Sequence, residues 1–345
     1  MLENTDTAML NFDEDRFRSI QGGAVALGGP LRDAIGELLD RGARNLFFLG
    51  AGGAGVLMLP AAQLVQRSTG FPVHLLKAAE VMATGWSELG RDSIVVIPSL
   101  SGSTSESIDV LRFSQEKGAT VIALTGHQDS PVAQAADLNF TNFAEDDTSS
   151  ESFYLQSLFI ALALLDRLEG ADRFDAVAAE LSALPEALIA IKRSFEPRAR
   201  ELAEQIKNES YHVITGAGAT WTQAWYYGTC ILEEMQWIRT RPIHAADFFH
   251  GTLELVEPGV SVMIFKGEDD ARALTERVEA FLPRVTDKSI VLDAAGFELP
   301  GVSAPTRALI SHILIATVLE RLSAHLEVVR DHPLTTRRYY KRVAY

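Results

Sequence analysis

The chain is poor in cysteine, because Cys230 is the only one among its 345 residues. A single thiol can form neither an internal disulfide nor a multi-cysteine metal site. Cys230 lies in an apolar helical pattern, so we expect a buried packing residue there. No other spacing of His, Cys and Asp resembles a ligand set, and the sequence predicts neither a metal nor another cofactor.

Positive charge is also scarce, with 31 Lys and Arg against 46 Asp and Glu and a formal net charge of −15. Binding to nucleic acid or to an anionic membrane requires clustered Lys and Arg that neutralise phosphates. Neither is therefore an expected partner. A small phosphorylated ligand stays possible, because it needs only a few local donors.

Long hydrophobic runs are missing as well. The two most apolar stretches, Phe153–Leu165 and His312–Leu319, are shorter than the roughly 18 to 20 residues that span a bilayer. They predict buried core helices. The N-terminal segment is acidic and lacks the basic-then-apolar order of a signal peptide. We therefore expect a cytoplasmic protein.

Short apolar runs that alternate with longer amphipathic segments dominate the rest of the chain. Such runs, bounded by Gly, Pro or Ser, predict fully buried strands of a parallel sheet with helices on both faces. In the first half they are Asn45–Leu49, Val73–Leu76, Ser93–Ile97 and Thr120–Leu124, with a possible addition at Asp137–Phe143.

The same order of segments returns in the second half. The stretch NLFFLGAGGAG at Asn45–Gly55 resembles YHVITGAGATW at Tyr211–Trp221, and two later strands repeat at nearly the same offsets, in Gly259–Lys266 and Ser289–Asp293. Three strands in one order indicate two copies of one α/β unit. The predicted organisation is a lead-in at 1–30, a first domain at 31–185, a second at 195–330 and a tail at 331–345.

A glycine loop at Gly50–Gly55 follows the first strand and is typical of anion sites. Gly52 and Gly53 would let the backbone approach a ligand at a helix N-terminus. The same letters fit the dinucleotide fingerprint, which needs an acid at the end of the second strand. That strand ends in Lys77, with Glu80 only beyond it, so a nicotinamide cofactor stays a minor alternative.

A serine loop, PSLSGSTSES at Pro98–Ser107, follows the third strand. Ser103 and Glu106 have capping-box spacing, but a cap uses a single hydroxyl. We therefore predict a phosphate cradle of hydroxyls and backbone N–H groups at the helix N-terminus. Its hydroxyls belong to Ser99, Ser101, Ser103, Thr104 and Ser105. The second copy reads KGEDDA at Lys266–Ala271, whose acids would repel phosphate.

Glu233 and Glu234 are adjacent in a predicted helix and so point about 100° apart. At most one of them is expected to face a given pocket. By themselves, a helical Glu is commonly solvated and a lone His is commonly a hydrogen-bonded structural residue.

The motifs PSLSGST, LEEMQW and ADFFHG and the tail DHPLTTRRYYKRVAY together resemble the tandem sugar isomerase (SIS) domain family. The resemblance extends from about Leu31 to the C-terminus. It is closest to fructosamine 6-phosphate deglycases and more distant to the isomerase half of glucosamine-6-phosphate synthase. It implies an α/β fold of two tandem SIS domains, each a parallel sheet with helices on both faces, a three-layer sandwich.

The resemblance also implies roles for individual residues. Glu234 corresponds to the general base, and His250 to a histidine in the following helix that opens the sugar ring or moves protons. The phosphate-binding hydroxyls correspond to Ser99, Ser101 and Thr104, with a further one at Ser149. Ala54 departs from the family, which often has Ser or Thr there. The ring-opening lysine of the synthase tail could correspond to Arg338 or to Lys341.

The implied reaction is the cleavage of a 6-phosphorylated fructosamine to a hexose 6-phosphate and an amine, by proton transfers and one hydrolysis. We expect Trp237 and Phe249 to give Glu234 an apolar setting. The alternatives are an aldose–ketose isomerase, an aminosugar-phosphate deaminase, or a sugar-phosphate sensor, although no basic helix-turn-helix segment is present. Relatives often build the site across a dimer interface, so a homodimer or a larger even-numbered oligomer is expected.

Overall fold

A computed structural model of the protein describes residues 8–340 together with 342 and 343. Lys341, one of the two candidates in the tail, lies outside the described residues. The helices of the described part are α1 (Glu14–Ala26), α2 (Gly28–Asp40), α3 (Gly52–Val56), α4 (Leu59–Ser68), α5 (Ala78–Thr84), α6 (Ser105–Glu116), α7 (Pro131–Ala135), α8 (Ser149–Glu169), α9 (Phe174–Leu181), α10 (Leu184–Ile206), α11 (Ala219–Tyr226), α12 (Arg272–Phe281) and α13 (Ala304–Val329). The strands are β1 (Asn45–Gly50), β2 (Val73–Lys77), β3 (Ser93–Ser99), β4 (Thr120–Thr125), β5 (Leu138–Thr141), β6 (Tyr211–Gly216), β7 (Arg239–His244), β8 (Ser261–Lys266) and β9 (Ser289–Asp293).

The chain divides into two compact units. The serine-loop unit comprises Ser19–Pro185 and Gly301–Thr306. The glutamate unit comprises the described residues up to Arg18, Glu186–Pro300, and the described residues from Arg307 onward. The first described residues, up to Arg18, therefore belong to the same compact unit as most of the second half of the chain. The domain bounds 31–185 and 195–330 stay a prediction.

The serine-loop unit is built on a five-stranded parallel sheet in the order β2-β1-β3-β4-β5. Side chains alternate between the two faces of a strand. Phe47, Val95 and Val121 pack with Val81 of α5 and Val110 of α6 on one face. Their neighbours along the strands are buried as well, so both faces are covered, as the apolar runs predicted.

The two most apolar stretches lie in the long helices α8 and α13. Phe153–Leu165 and His312–Leu319 are buried throughout, which confirms the expectation of core helices. By length and composition α13 could cross a membrane, but 89% of its most apolar window is buried inside the protein. A long apolar helix in a protein core has the same length and composition as a membrane-spanning helix, and the burial of α13 identifies it as a core helix.

The glutamate unit is built on a four-stranded parallel sheet in the order β7-β6-β8-β9. The sequence analysis did not predict β7. Its residues RTRPIH place arginines at exposed positions and a proline within the strand. Proline is tolerated on edge strands, and β7 is the edge of this sheet.

Both units place their second strand on one side of the first and their third and fourth strands on the other. The equivalent strands are therefore β1 and β6, β2 and β7, β3 and β8, and β4 and β9, which confirms the repeat. In open parallel sheets, ligands bind beyond the carboxyl ends of the strands where this order reverses. That switch point lies between β1 and β3 in one unit and between β6 and β8 in the other.

Candidate active site

The glycine loop and the serine loop meet at the switch point of the serine-loop unit, because β1 and β3 are paired neighbours. Gly50 shows how tightly they pack. A Cβ on Gly50 would lie 2.4 Å from the Cα of Gly55 and 3.1 Å from the Cγ of Pro98. Only glycine fits there, since any side chain would separate the two loops.

The glycine loop leads directly into α3. Gly52 begins this helix with φ of +55°, a left-handed conformation that favours glycine, and it is exposed. Gly53 is half-buried beside it. The neighbouring strand β2 ends in the exposed cation Lys77, where a dinucleotide fold would need an acid. The geometry therefore gives the nicotinamide alternative no support.

The side chain at the N-cap of α6, Thr104, makes no capping hydrogen bond. Ser103 and Glu106 form no capping box, because the helix begins one residue later than their spacing requires. The hydroxyls of Ser101 and Ser103 bond each other at 3.1 Å. Ser99, at the end of β3, is 4% exposed.

Gly102 anchors the middle of the serine loop. Its φ is +59°, and a Cβ there would lie 1.9 Å from the Oγ of Ser130. Its N–H donates to the carbonyl of Ser99 at 3.1 Å, and its carbonyl accepts from the N–H of Val132 at 2.9 Å. The loop is thus held in shape by its own backbone and by the start of α7. Ser149 begins α8 and is 4% exposed, and no hydrogen bond in the described part of the chain joins it to this loop.

The equivalent position of the glutamate unit is filled by a carboxylate of the chain. Asp269 accepts the N–H of Ala219, at the start of α11, at 2.9 Å. Its other oxygen accepts the N–H of Ala271 at 3.0 Å. Gly218 adopts φ of +55°, and a Cβ there would lie 2.2 Å from the Asp269 carboxylate. The sequence predicted that acids here repel phosphate, and Asp269 itself occupies the anion position.

Glu234 follows an irregular helical segment. After α11 the backbone widens into a π-helix at Tyr227–Glu233, and the N–H of Glu234 donates to the carbonyl of Thr229, five residues back, at 3.2 Å. Such π-helical turns are rare and occur frequently at functional sites. The Glu234 side chain is 32% exposed, and its Oε1 lies 3.0 Å from Nε of Arg337.

The adjacent carboxylate has a structural contact instead. Oε1 of Glu233 accepts from both the N–H of Thr240, at 3.1 Å, and the hydroxyl of Thr240, at 2.7 Å. Glu233 thereby ties the end of the π-helix to β7. The two neighbouring glutamates are distinguished by their partners, a strand for Glu233 and a tail arginine for Glu234.

A groove of about 880 Å³ opens beside these two glutamates. Four residues of the C-terminal tail are among those that line this groove. Its lining consists of Tyr211, Glu233, Glu234, Trp237, Ile238, Arg239, Thr240, Arg337, Arg338, Tyr339 and Tyr340.

Trp237 forms part of this groove in an unusual backbone conformation. Its φ is +56°, which is uncommon for a bulky residue and requires support from the surroundings. The preceding residue, Gln236, is fully buried, donates to the carbonyl of His332 at 2.7 Å and accepts from Nε of Arg330 at 3.1 Å. The guanidinium of Arg338 lies 4.0 Å from the centre of the Trp237 ring.

The tail supplies two residues that differ in what they contact. Arg337 is anchored by the carbonyls of Leu334 and Thr336, at 2.6 and 3.1 Å, and reaches Glu234. Arg338, one of the two candidates from the sequence, lines the groove and stacks on Trp237. The contact of Arg337 was missed, because no local pattern in RRYYKRVAY indicates which arginine meets the glutamate.

His250 is placed elsewhere in the glutamate unit. It is exposed in a turn segment between β7 and the short 3₁₀-helix at Thr252–Leu255, so the expectation that it lies in a helix is wrong. It does not line the groove that contains Glu234. Phe249 does not line the groove either, and its ring packs 5.4 Å from Phe281 and beneath the guanidinium of Arg277. Of the two predicted aromatic neighbours of Glu234, only Trp237 lines the groove.

A second histidine lies at the carboxyl edge of the same sheet. His244 ends β7 opposite Gly216, and burial lowers its pKa, with a smaller opposing influence from Asp247. Its Nδ1 accepts the N–H of Ala246 at 3.1 Å, so the neutral ring carries its proton on Nε2. The sequence analysis missed His244, because the strand that ends with it was not predicted.

No group of three or more His, Cys, Asp and Glu that could hold a metal ion occurs among residues 8–340, 342 and 343. The polar groups that could meet a ligand are hydroxyls, backbone N–H groups and glycine backbone in one unit. In the other they are a carboxylate and arginines. The first set suits an anion, and the second set can exchange a proton.

Three comparisons with known proteins agree with this geometry. A sequence model of the SIS domain matches residues 41–165. The chain is 30% identical over 321 residues to the fructosamine deglycase of Bacillus subtilis (strain 168), covering 91% of this chain and 95% of that protein. It is 28% identical over 312 residues to the fructoselysine 6-phosphate deglycase of Escherichia coli (strain K12), covering 90% of each. A crystal structure from Bacillus subtilis, described as a phosphosugar isomerase, has a TM-score of 0.85 at 29% identity and covers 93% of this chain and 99% of that one.

The chain belongs to the SIS domain family, and it is an enzyme of that family. Its two parallel sheets flanked by helices are the fold that the family resemblance implied.

Proposed function

We propose that this enzyme is a fructosamine 6-phosphate deglycase, a hydrolase that acts in the cytoplasm. The observation that carries the proposal is the Glu234 carboxylate, which opens to a groove while Arg337 holds one of its oxygens at 3.0 Å. The names of its relatives, fructosamine deglycase and fructoselysine 6-phosphate deglycase, support the choice of substrate.

The phosphate of the substrate is assigned to the serine loop. Ser99, Ser101, Ser103 and Thr104 supply hydroxyls, and the first N–H groups of α6 supply further donors. Gly52 and Gly53 belong to the adjoining glycine loop, where the absence of side chains lets the backbone approach the ligand. Ser149 is retained only as a family assignment, since no hydrogen bond in the described part of the chain joins it to the loop.

The reaction requires one base and one water molecule. Glu234 removes a proton from C1 of the open-chain ketosamine, the C2 oxygen takes a proton from solvent, and the C1–C2 enaminol forms. The carboxyl returns its proton to C2 and the nitrogen gives its proton to solvent, which leaves an imine between C1 and nitrogen. Water adds to C1, the carbon–nitrogen bond breaks, and a hexose 6-phosphate and the amine leave. A positioned carboxylate typically contributes about 10² to 10⁴ to such proton transfers. Arg337 places its positive charge 3.0 Å from one oxygen of the base.

His250 is assigned to proton transfer at a ring or hydroxyl oxygen of a neighbouring copy of the chain, within a homodimer or a larger even-numbered oligomer. Its exposed position, apart from the groove, supports this assignment. We predict that a Glu234→Gln chain mixed and exchanged with a His250→Ala chain regains activity, because each hybrid holds one intact site. Activity no higher than that of either parent would exclude the shared site, and subunit exchange is verified by mass-tagged chains.

A second candidate function, an aldose–ketose isomerase, is favoured by the description of the similar Bacillus subtilis structure. It would use the same enolisation without the hydrolysis. An aminosugar-phosphate deaminase would share the base and the phosphate loop.

An assay with purified protein separates these functions. A panel of 6-phosphorylated fructosyl-amino acids is compared with fructose 6-phosphate and glucosamine 6-phosphate, and hexose 6-phosphate and free amine are quantified. The proposal predicts equal molar release of both products from the fructosyl compounds. Interconversion of hexose phosphates without cleavage of the fructosyl compounds would contradict it.

A further inference from the structure

The groove beside Glu234 must hold the amine half of the substrate if the proposed deglycase function, on which this inference rests, is correct. The base removes a proton from C1, and the amine is bonded to C1. Whatever lies next to the Glu234 carboxylate therefore surrounds the leaving amine as well. The remaining walls of the groove then define which amine fits.

The charged side chains of the groove differ in whether they have a partner within the protein. Glu233 is bound by Thr240, and Glu234 is bound by Arg337. Arg239 and Arg338 also line the groove and are exposed, and neither forms an ion pair with any residue in the described part of the chain. Their guanidinium groups are available to an anion.

Arg338 is also held in position. Its guanidinium stacks on Trp237 at 4.0 Å, and such stacking uses the face of the group while its N–H donors remain free in the plane. Trp237 is in turn fixed by the buried Gln236 and its bonds to His332 and Arg330. A preorganised guanidinium loses little freedom on binding, and its fork of donors matches a carboxylate.

The other walls are aromatic. Trp237, Tyr211, Tyr339 and Tyr340 line the groove, and Trp237, Tyr339 and Tyr340 are exposed to 38%, 65% and 42%. The volume of about 880 Å³ lies within the range of roughly 300 to 1,000 Å³ that is usual for small-molecule sites. There is room for an amino-acid side chain as well as for its carboxylate.

We propose that Arg239 and Arg338 form a carboxylate subsite, so that the released amine is an α-amino acid with an apolar or aromatic side chain. The sugar is then attached through the α-nitrogen, because that places the carboxylate two bonds from the nitrogen next to Glu234. A simple amine of the same size, which lacks the carboxylate, would leave both arginines unpaired.

The test uses two matched substrates, 6-phosphofructosyl-valine and 6-phosphofructosyl-isobutylamine, which differ only in the carboxylate. Hydrogen bonds to a charged group contribute roughly 1.5 to 3 kcal/mol, which corresponds to about 10- to 150-fold. We expect wild-type kcat/KM to favour the valine compound by at least about tenfold. Arg338→Gln and Arg239→Gln should each lower that preference, and the double variant should bring it to within about threefold. Arg284→Gln, an exposed arginine outside the groove, is the control that should keep the wild-type preference.

The outcomes separate the subsite from the function. Cleavage of both substrates with equal kcat/KM would overturn the carboxylate subsite and leave the deglycase function standing. If the arginines instead bind the sugar phosphate, their replacement would slow both substrates equally and leave the preference unchanged, which also overturns the subsite. Cleavage of neither substrate, with intact fold by circular dichroism, would overturn the deglycase function and this inference with it.

Discussion

At the switch point of the serine-loop unit, β3 runs into a loop whose hydroxyls cap no helix, and the N-terminus of α6 is open. At the equivalent point of the glutamate unit, β8 runs into a loop whose Asp269 accepts the first N–H group of α11. The two edges have the same strand order. We propose that the first edge receives an external anion, whereas at the second edge the Asp269 carboxylate of the chain occupies the equivalent position.

The comparison illustrates how two copies of one fold can take different roles. A carboxylate supplied by the chain satisfies backbone donors at the helix N-terminus without any ligand. The glutamate unit thus needs no ligand at its switch point, and we propose that its chemistry lies at the other end of α11. There the π-helix presents Glu234 to the groove. Phosphate recognition and proton transfer are assigned to different units.

The largest expected effect is at Glu234. Glu234→Gln keeps the size of the side chain but removes the basic oxygen, so kcat should fall by about 10² to 10⁴ with KM nearly unchanged. Steady-state kinetics on a 6-phosphofructosyl-amino acid measure the change. Solvent deuterium should enter C2 of the hexose phosphate with wild type and not with the variant.

The neighbouring residue is the matched control for that prediction. Glu233→Gln keeps an amide oxygen that can still accept the N–H of Thr240, so its cost in kcat should be less than about tenfold. Both variants should unfold at nearly the wild-type temperature. Near-normal turnover of Glu234→Gln would show that Glu234 is not the base. It would also contradict the assignment of proton transfer to the glutamate unit.

An intermediate effect is expected at the serine loop. Thr104→Val removes a hydroxyl that makes no capping bond, so the fold should be unaffected. Loss of one hydrogen bond to a charged phosphate costs roughly 1.5 to 3 kcal/mol, which should raise KM by about 10- to 150-fold. The control is a substrate without the phosphate, for which the wild type and the variant should have the same KM. A wild-type KM that is the same with and without the phosphate would show that this loop is not the phosphate site.

A smaller effect, on stability alone, is expected at Asp269. Asp269→Ala removes the acceptor of Ala219 and Ala271, and loss of such a cap costs about 0.5 to 2 kcal/mol. The melting temperature should fall by a few degrees while KM for the phosphorylated substrate stays the same. Asp270→Ala, the exposed neighbour, should do neither. A change of KM in Asp269→Ala beyond twofold would mean that the second edge also contacts substrate.

No effect is expected from removing metal ions. The described residues contain no group that could hold one, and proton transfer by a carboxylate needs none. Dialysis against EDTA should leave kcat and KM unchanged in wild type. Activity that is lost and then restored by zinc or magnesium would show that the enzyme requires a metal ion.

Much of the fold was determined by local patterns in the sequence. The buried strands β1, β3 and β4 are runs of Val, Ile, Leu and Phe bounded by turn residues, and their repetition disclosed the two units. The serine loop stood out by composition. Such features belong to consecutive residues, and burial on both faces of a parallel sheet leaves a strong local signature.

The rest was decided by contacts between residues distant in the chain. Nothing in RTRPIH marks β7 as a strand, since its exposed arginines and its proline are tolerated only because it pairs at one edge with β6. Asp269 closes the second switch point through N–H groups that come from another part of the fold. Arg337 meets Glu234 across about a hundred residues of sequence, and a two-residue basic pattern in the tail cannot specify which arginine arrives. Local periodicity sets burial, whereas the partners of a polar group depend on which loops the finished sheets bring to the same edge.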